Sequence, residues 1–162
     1  MRKLKYIICL LLTTFSCQKE HKTFTQAALN DTFLTPQGQH ITLQNILNQH
    51  AGKTVFIDVW ASWCGDCLQS IPQVKKLQQQ FTNVAFVYLS LDRNQDRWQH
   101  AMARFNLKGQ HYFMPNGKAC SFAKFANISW IPRYMVINKQ GNIELFKAVK
   151  TTNNKLIEAL KK

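Results

Sequence analysis

Residues 54–67 read Thr54-Val55-Phe56-Ile57-Asp58-Val59-Trp60-Ala61-Ser62-Trp63-Cys64-Gly65-Asp66-Cys67. Thr54 to Trp60 is nearly continuous in apolar residues, the pattern of a central strand covered on both faces. Past Cys64, the apolar residues Leu68, Ile71, Val74, Leu77 and Phe81 recur at offsets of three and four, which predicts a helix over 64–81. The segment therefore sets two thiols, three positions apart, at the mouth of a helix that follows a buried strand. A helix N-terminus carries partial positive charge and unpaired N–H groups, and both favour a thiolate. The thiolate is the nucleophile. Cys64 projects beyond the helix end and is expected to be accessible and to attack a partner sulfur. Cys67, tucked into the first turn, is expected to resolve the mixed disulfide.

Working outward, Phe33-Leu34 and the weak alternation of Gln39 to Leu43 suggest a hairpin through Pro36-Gln37-Gly38. Leu43 to Leu47 reads as a helical turn. Val84 to Leu91 reads as a second buried strand, and Asp92 opens a polar stretch suited to capping the next helix. Trp98, Met102 and Phe105 share a face of that helix, which Lys108-Gly109 ends. Residues 110–120 read as irregular with a turn at Pro115-Asn116-Gly117, and His111 to Met114 resembles a strand edge with Met114 as core filler. A short helix over 121–126, strands over 134–138 and 142–148 around Lys139-Gln140-Gly141, and a closing helix over 153–160 complete the chain. The order β-β, β-α-β-α, β-β-α describes a mixed sheet covered by helices, an α/β sandwich.

Composition narrows the class. The chain has 162 residues, 46% of them apolar and 18% charged, with 21 Lys+Arg against 8 Asp+Glu. That fits one domain with a sizeable core and argues against intrinsic disorder. Five cysteines are too few for a disulfide-stapled mini-protein, and no apolar run reaches the roughly 20 residues of a membrane span. Arg2, Lys3 and Lys5 precede the apolar run Ile7 to Leu12 and the small Ser16, the pattern of a secretory signal over 1–16. Cys17 then stands where the lipobox of bacterial lipoproteins, which this resembles, has its lipid-bearing cysteine. Residues 17–30 are expected to be a lipidated N-terminus and flexible tether. Without the signal, 18 basic groups face 8 acidic ones. The basic groups are scattered, with no run of five, and export removes nucleic acid as a partner. A solvated basic surface near anionic lipid is the expectation.

Trp60 to Cys67 resembles the active-site stretch of the thioredoxin superfamily, W-A-x-W-C-G-P-C. Asp58 lies six residues before Cys64, where the family keeps a buried acid. Pro72 lies five after Cys67, where its active-site helix is kinked. Trp130-Ile131-Pro132 precedes a strand, where the family has a cis-proline. The resemblance spans about residues 31–160. With the signal and the extra helix around Trp98, the chain looks like the membrane-anchored TlpA/ResA-type thiol-disulfide oxidoreductases. It implies a thioredoxin-like three-layer α/β sandwich over 31–162, with a mixed central sheet and helices on both faces. It implies catalytic Cys64, Cys67 and Asp58, and a substrate-binding rim of Trp63, Gly65, Asp66, Ile131 and Pro132. Asp58, in an apolar strand, should have a raised pKa and exchange a proton with Cys67 through water. Trp60 is expected in the core and Trp63 on the rim. No metal or cofactor is implied, since both electrons reside in the sulfurs. The implied partners are protein thiols and disulfides and an upstream membrane or soluble electron donor, with a lipid anchor holding the chain, as a monomer, in the periplasm-facing cell envelope.

Asp66 departs from the family's proline. A carboxylate between two sulfurs disfavours the Cys64 thiolate, which points to a reductant rather than a strong oxidant. Cys120 reads either as a buried small hydrophobe or as a second redox thiol near the site. Two other readings of the whole remain open at this point: a thiol peroxidase, and a non-catalytic metal or redox-sensing binding module.

Overall fold

The computed structural model describes residues 21–162, so the signal segment and Cys17 lie outside the described residues. Seven strands form one sheet: β1 (Thr32–Leu34), β2 (His40–Thr42), β3 (Val55–Trp60), β4 (Ala85–Ser90), β5 (Gln110–Phe113), β6 (Arg133–Ile137) and β7 (Ile143–Ala148). Their order is β2-β1-β5-β4-β3-β6-β7. β3, β4 and β5 run parallel and the other pairings are antiparallel. β3 is an interior strand between β4 and β6, and every one of its residues is buried, as its apolar run requires.

Six helices cover the sheet: α1 (Gln26–Leu29), α2 (Leu43–Asn48), α3 (Gly65–Gln80), α4 (Gln95–Phe105), α5 (Ser121–Phe125) and α6 (Asn154–Leu160). The two faces of β3 sort by its two-residue period. Phe56, Asp58 and Trp60 look toward α3 and α4, where Trp60 meets Phe105 edge-on and Trp98 of α4 packs on Phe113. Phe33 faces the other side and meets Phe122 of α5. Helices thus lie on both faces of a mixed sheet, which is the thioredoxin-like sandwich the resemblance implies.

Two local expectations change. The N-terminal tether is shorter than 17–30, because the chain is docked from His21 on. Phe24 packs on Phe122 and Phe125, Ala28 is fully buried, and the Ile143 N–H donates to the Lys22 carbonyl. Polar composition concealed this, since two aromatic residues, His21 and Phe24, supply the contact. Residues 110–113, expected to be irregular with at most an edge, form an interior strand between β4 and β1. Gly109 permits that entry: at φ +133 its missing side chain leaves room for Phe86, whose carbonyl would lie 2.5 Å from any Cβ. The polar stretch that Asp92 opens caps α4 as expected, through Asn94, which accepts from the Arg97 N–H at 3.0 Å.

Candidate active site

The strand β3 delivers its C-terminal end to the loop Ala61–Trp63, and α3 begins immediately after. Cys64 is the N-cap of α3, with its sulfur accepting from the Cys67 N–H at 3.1 Å. One of the orphan donors of the helix start is therefore spent on the sulfur. Cys64 and Cys67 are joined in a disulfide across a Cα–Cα distance of 5.2 Å. The expected accessibility of Cys64 is small, at 6% exposure against 2% for Cys67. Trp63, 53% exposed, and Trp130, 61% exposed, wall the approach to it, so only an edge of the sulfur faces solvent. Trp60 is buried in the core, one turn of backbone earlier.

The expected rim assembles around this sulfur. Gly65 and Asp66 are exposed on the first turn of α3, and Ile131 is brought across from the loop before β6. The Ile131–Pro132 peptide bond is cis, and the Ile131 carbonyl lies 3.6 Å from the Cys64 sulfur. Pro72 sits inside α3 and leaves one carbonyl of the helix without its usual donor.

Asp58 lies on the α3 face of β3. Its register neighbours are Tyr88 on β4 and Tyr134 on β6, so a carboxyl stands between two tyrosines in one row. Burial pushes its pKa up to about 8, and Oδ1 has no hydrogen-bond partner among the described residues. Burial, with the carboxyl next to them, also pushes both phenols upward. Tyr134 ties this row to the active-site helix: its hydroxyl lies 2.9 Å from Ser70 Oγ, which donates at 2.7 Å to the Cys67 carbonyl. The Asp58 carboxyl is thus connected by two hydrogen bonds and one strand pairing to the backbone of Cys67.

Two further residues shape the site without having been singled out for it. Asp92 reaches back to the loop before Cys64, accepting from the Ser62 N–H at 3.1 and 3.2 Å and from Ser62 Oγ at 2.6 Å. Ser90 Oγ donates to it as well at 2.8 Å. The one sequence signal was an acid directly after a buried strand. Arg133, fully buried, donates to the Ala126 carbonyl and, at 2.9 Å, to the Asn127 carbonyl. It pins the end of α5 and so the loop that carries Trp130 and Ile131. Nothing in the sequence distinguishes it from the exposed cations.

Cys120 is buried and is the N-cap of α5. Burial, then the hydrogen bond and charge of Asp31, push its thiol up to about 12. It is the buried small residue of the two readings. Among the described residues no three His, Cys, Asp or Glu side chains gather into a metal-binding group.

Fold and site together define a dithiol–disulfide centre at a helix N-cap on a thioredoxin-type sheet. The model of the family described as Thioredoxin-like matches residues 52–143, more than half of the chain, and the chain belongs to that family. It is similar to thioredoxin 1 of Chlorobaculum tepidum, with 42% identity over 55 residues, which is 34% of this chain and 52% of that protein. The chain spans about half the length, or less, of the curated relatives it matches first. Among solved structures, it is similar to a Bacteroides vulgatus protein assigned as a thiol-disulfide oxidoreductase. The TM-score is 0.69 at 26% identity, over 85% of this chain and 88% of that one. A thiol-disulfide oxidoreductase from Bacteroides fragilis shares the fold, with a TM-score of 0.69 at 19% identity over 84% and 98%.

Proposed function

We propose that the chain is a thiol-disulfide oxidoreductase that exchanges its Cys64–Cys67 pair with the sulfurs of partner proteins. The observation that carries this reading is the closed pair itself, set at the N-cap of α3 with the buried Asp58 on the helix-facing side of β3. In the reducing direction, the Cys64 thiolate attacks one sulfur of a partner disulfide. That bond breaks, a mixed disulfide forms, and the partner's other sulfur leaves and takes up a proton. The ionised form of Asp58 then takes the Cys67 proton through water, the Cys67 thiolate attacks Cys64, and the second partner sulfur leaves and takes up a proton. Two electrons and two protons pass to the partner, and the Cys64–Cys67 bond is restored. No cofactor takes part. The N–H and carbonyl of Ile131 are free of backbone partners among the described residues, so they can pair with an extended partner segment beside Cys64.

The protein works in the bacterial cell envelope, facing the periplasm, held by lipid on Cys17 and re-reduced by a membrane or soluble donor protein. The basic and apolar start and the cysteine after Ser16 support this. Among the described residues no helix is long and apolar enough to cross a membrane. Asp66, exposed in the first turn of α3, makes the couple reducing. Asp66→Pro should be more oxidising than the parent in a glutathione redox titration; a more negative potential in the variant removes the argument. The exchange reading is tested by trapping. Cys67→Ser in the living source should accumulate proteins linked through Cys64, and an empty trap in both growing and oxidatively stressed cells would count decisively against it.

A further inference from the structure

Among the described residues only three large apolar side chains are exposed: Trp63, Trp130 and Val149. All three border the reactive sulfur or its proline loop. One cleft of about 400 Å³ holds Trp63, Cys64, Asp66, Lys118, Trp130 and Ile131. A second, also about 400 Å³, holds Asp66, Ser70, Trp130, Pro132, Val149 and Lys150. Trp130 and Asp66 line both, and of the two only Trp130 is apolar. Exposed apolar surface confined to one place marks a contact surface, and a tryptophan lining two pockets is the side-chain type on which binding energy concentrates.

We propose that Trp130 is the specificity-determining residue of this site. It selects extended partner segments in which a large apolar side chain adjoins the disulfide cysteine, on a partner of acidic surface. The occupant follows from two observations. The first cleft is continuous with Cys64, so whatever fills it is chemically attached to the reacting sulfur or next to it in sequence. The charge comes from the rest of the surface. Among the described residues, sixteen of seventeen Lys and Arg lie outside the core, against five of seven Asp and Glu, and only Lys161 and Lys162 pair with carboxylates. Asp66 lines both clefts and offsets Lys118 at one and Lys150 at the other, so the long-range field is set by the excess of exposed cations elsewhere, which repels a basic partner and steers an acidic one in. Trp130 is itself held in place from behind. Lys118 Nζ donates to the Ser129 carbonyl at 3.2 Å, and Arg133 fixes the end of α5 four residues upstream.

This inference rests on the exchange reading above, and the experiment separates the two. The pre-reduced protein is mixed with two peptides of equal charge, each with one disulfide, with the cysteine flanked by Phe in one and by Ser in the other. Bis(2-hydroxyethyl) disulfide serves as a small polar reference. The parent should reduce the Phe peptide about tenfold faster, by kcat/KM, than the Ser peptide, the scale of one well-buried aromatic contact. Trp130→Ala should collapse that ratio to near one, and Trp130→Phe should restore most of it. Equal rates for the two peptides in the parent, or a ratio that survives in Trp130→Ala, would overturn the proposal. An Asp-rich Phe peptide should outrun its Lys-rich counterpart at low salt, with the gap closing as salt rises; a faster Lys-rich peptide overturns the charge half. Failure of the parent to reduce even the small disulfide overturns the exchange reading instead, and this inference with it.

Discussion

Two sulfurs in this protein cap helices in the same way, and only one pair of contacts leads to chemistry. Cys64 Sγ accepts from the N–H three residues on at 3.1 Å, and Cys120 Sγ does so at 3.4 Å. The helices behind them differ: α3 has 16 residues and α5 has 5. The residue three positions on differs too, Cys67 in one case and Ala123 in the other. Burial, and after it Asp31, raises the Cys120 thiol, whereas the Cys64 sulfur opens onto a cleft walled by two tryptophans. A helix cap alone does not activate a sulfur. Activation takes a long helix, a second thiol one turn in, and an approach for the partner.

That contrast sets the order of expected effects. Cys64→Ser should lower exchange with any disulfide below detection in a coupled reduction assay, and Cys120→Ala should not; comparable losses in both would erase the distinction. Asp58→Asn comes next. The Asp58 carboxyl titrates near 3.8 when unfolded and at about 8 when folded, so between these values only the folded state keeps the proton. Its contribution to stability is therefore present below pH 4 and lost as pH rises toward 8. Relative to the parent, Asp58→Asn should gain up to about 1.4 kcal/mol per pH unit across that window, read from denaturant melts at several pH values. Parallel melts would show that burial does not hold the proton there. The same variant should slow the Cys67 step more than the Cys64 step. Asp92→Ala should cost about 1–3 kcal/mol, because it strands the Ser62 N–H and two hydroxyls that the carboxylate now accepts. Its exchange rate should fall with the loosened loop, and an unchanged melt would mean that the loop stands without Asp92. The smallest effect concerns Cys120 in the folded oxidised protein. It should resist iodoacetamide at pH 8 and react once denaturant is added, as counted by mass; rapid native labelling would place it on the surface.

What could be read in advance differs element by element. β3 and α3 were legible because a run of seven apolar-rich residues and five apolar positions at helical spacing each bury a face almost regardless of context. Cys64, Cys67 and Asp58 follow from the same local signals. β5 was not legible, since Gln110–Phe113 is only four residues long and gains its hydrogen bonds from β4 and β1, which are distant in sequence. The polar stretch that Asp92 opens was legible as the cap of α4, but the part Asp92 itself plays was not. Its partners Ser62 and Ser90 arrive from two strand ends, and two serines on one carboxylate outweigh a single helix N–H. Arg133 is equally silent, because a cation in a buried strand is tolerable only when backbone carbonyls from another element happen to meet it.

By itself, the sequence determined the central strand, the helix that follows, the two-cysteine spacing and the buried acid, since each depends on residues within a turn or a strand of one another. The tertiary structure decided what surrounds the sulfur: the Ile131 carbonyl beside it, the two tryptophan walls, the Asp92 brace and the tyrosine row that ties Asp58 to Cys67. Those groups come from three separate stretches of chain, and their positions are fixed only when the sheet brings the strand ends together.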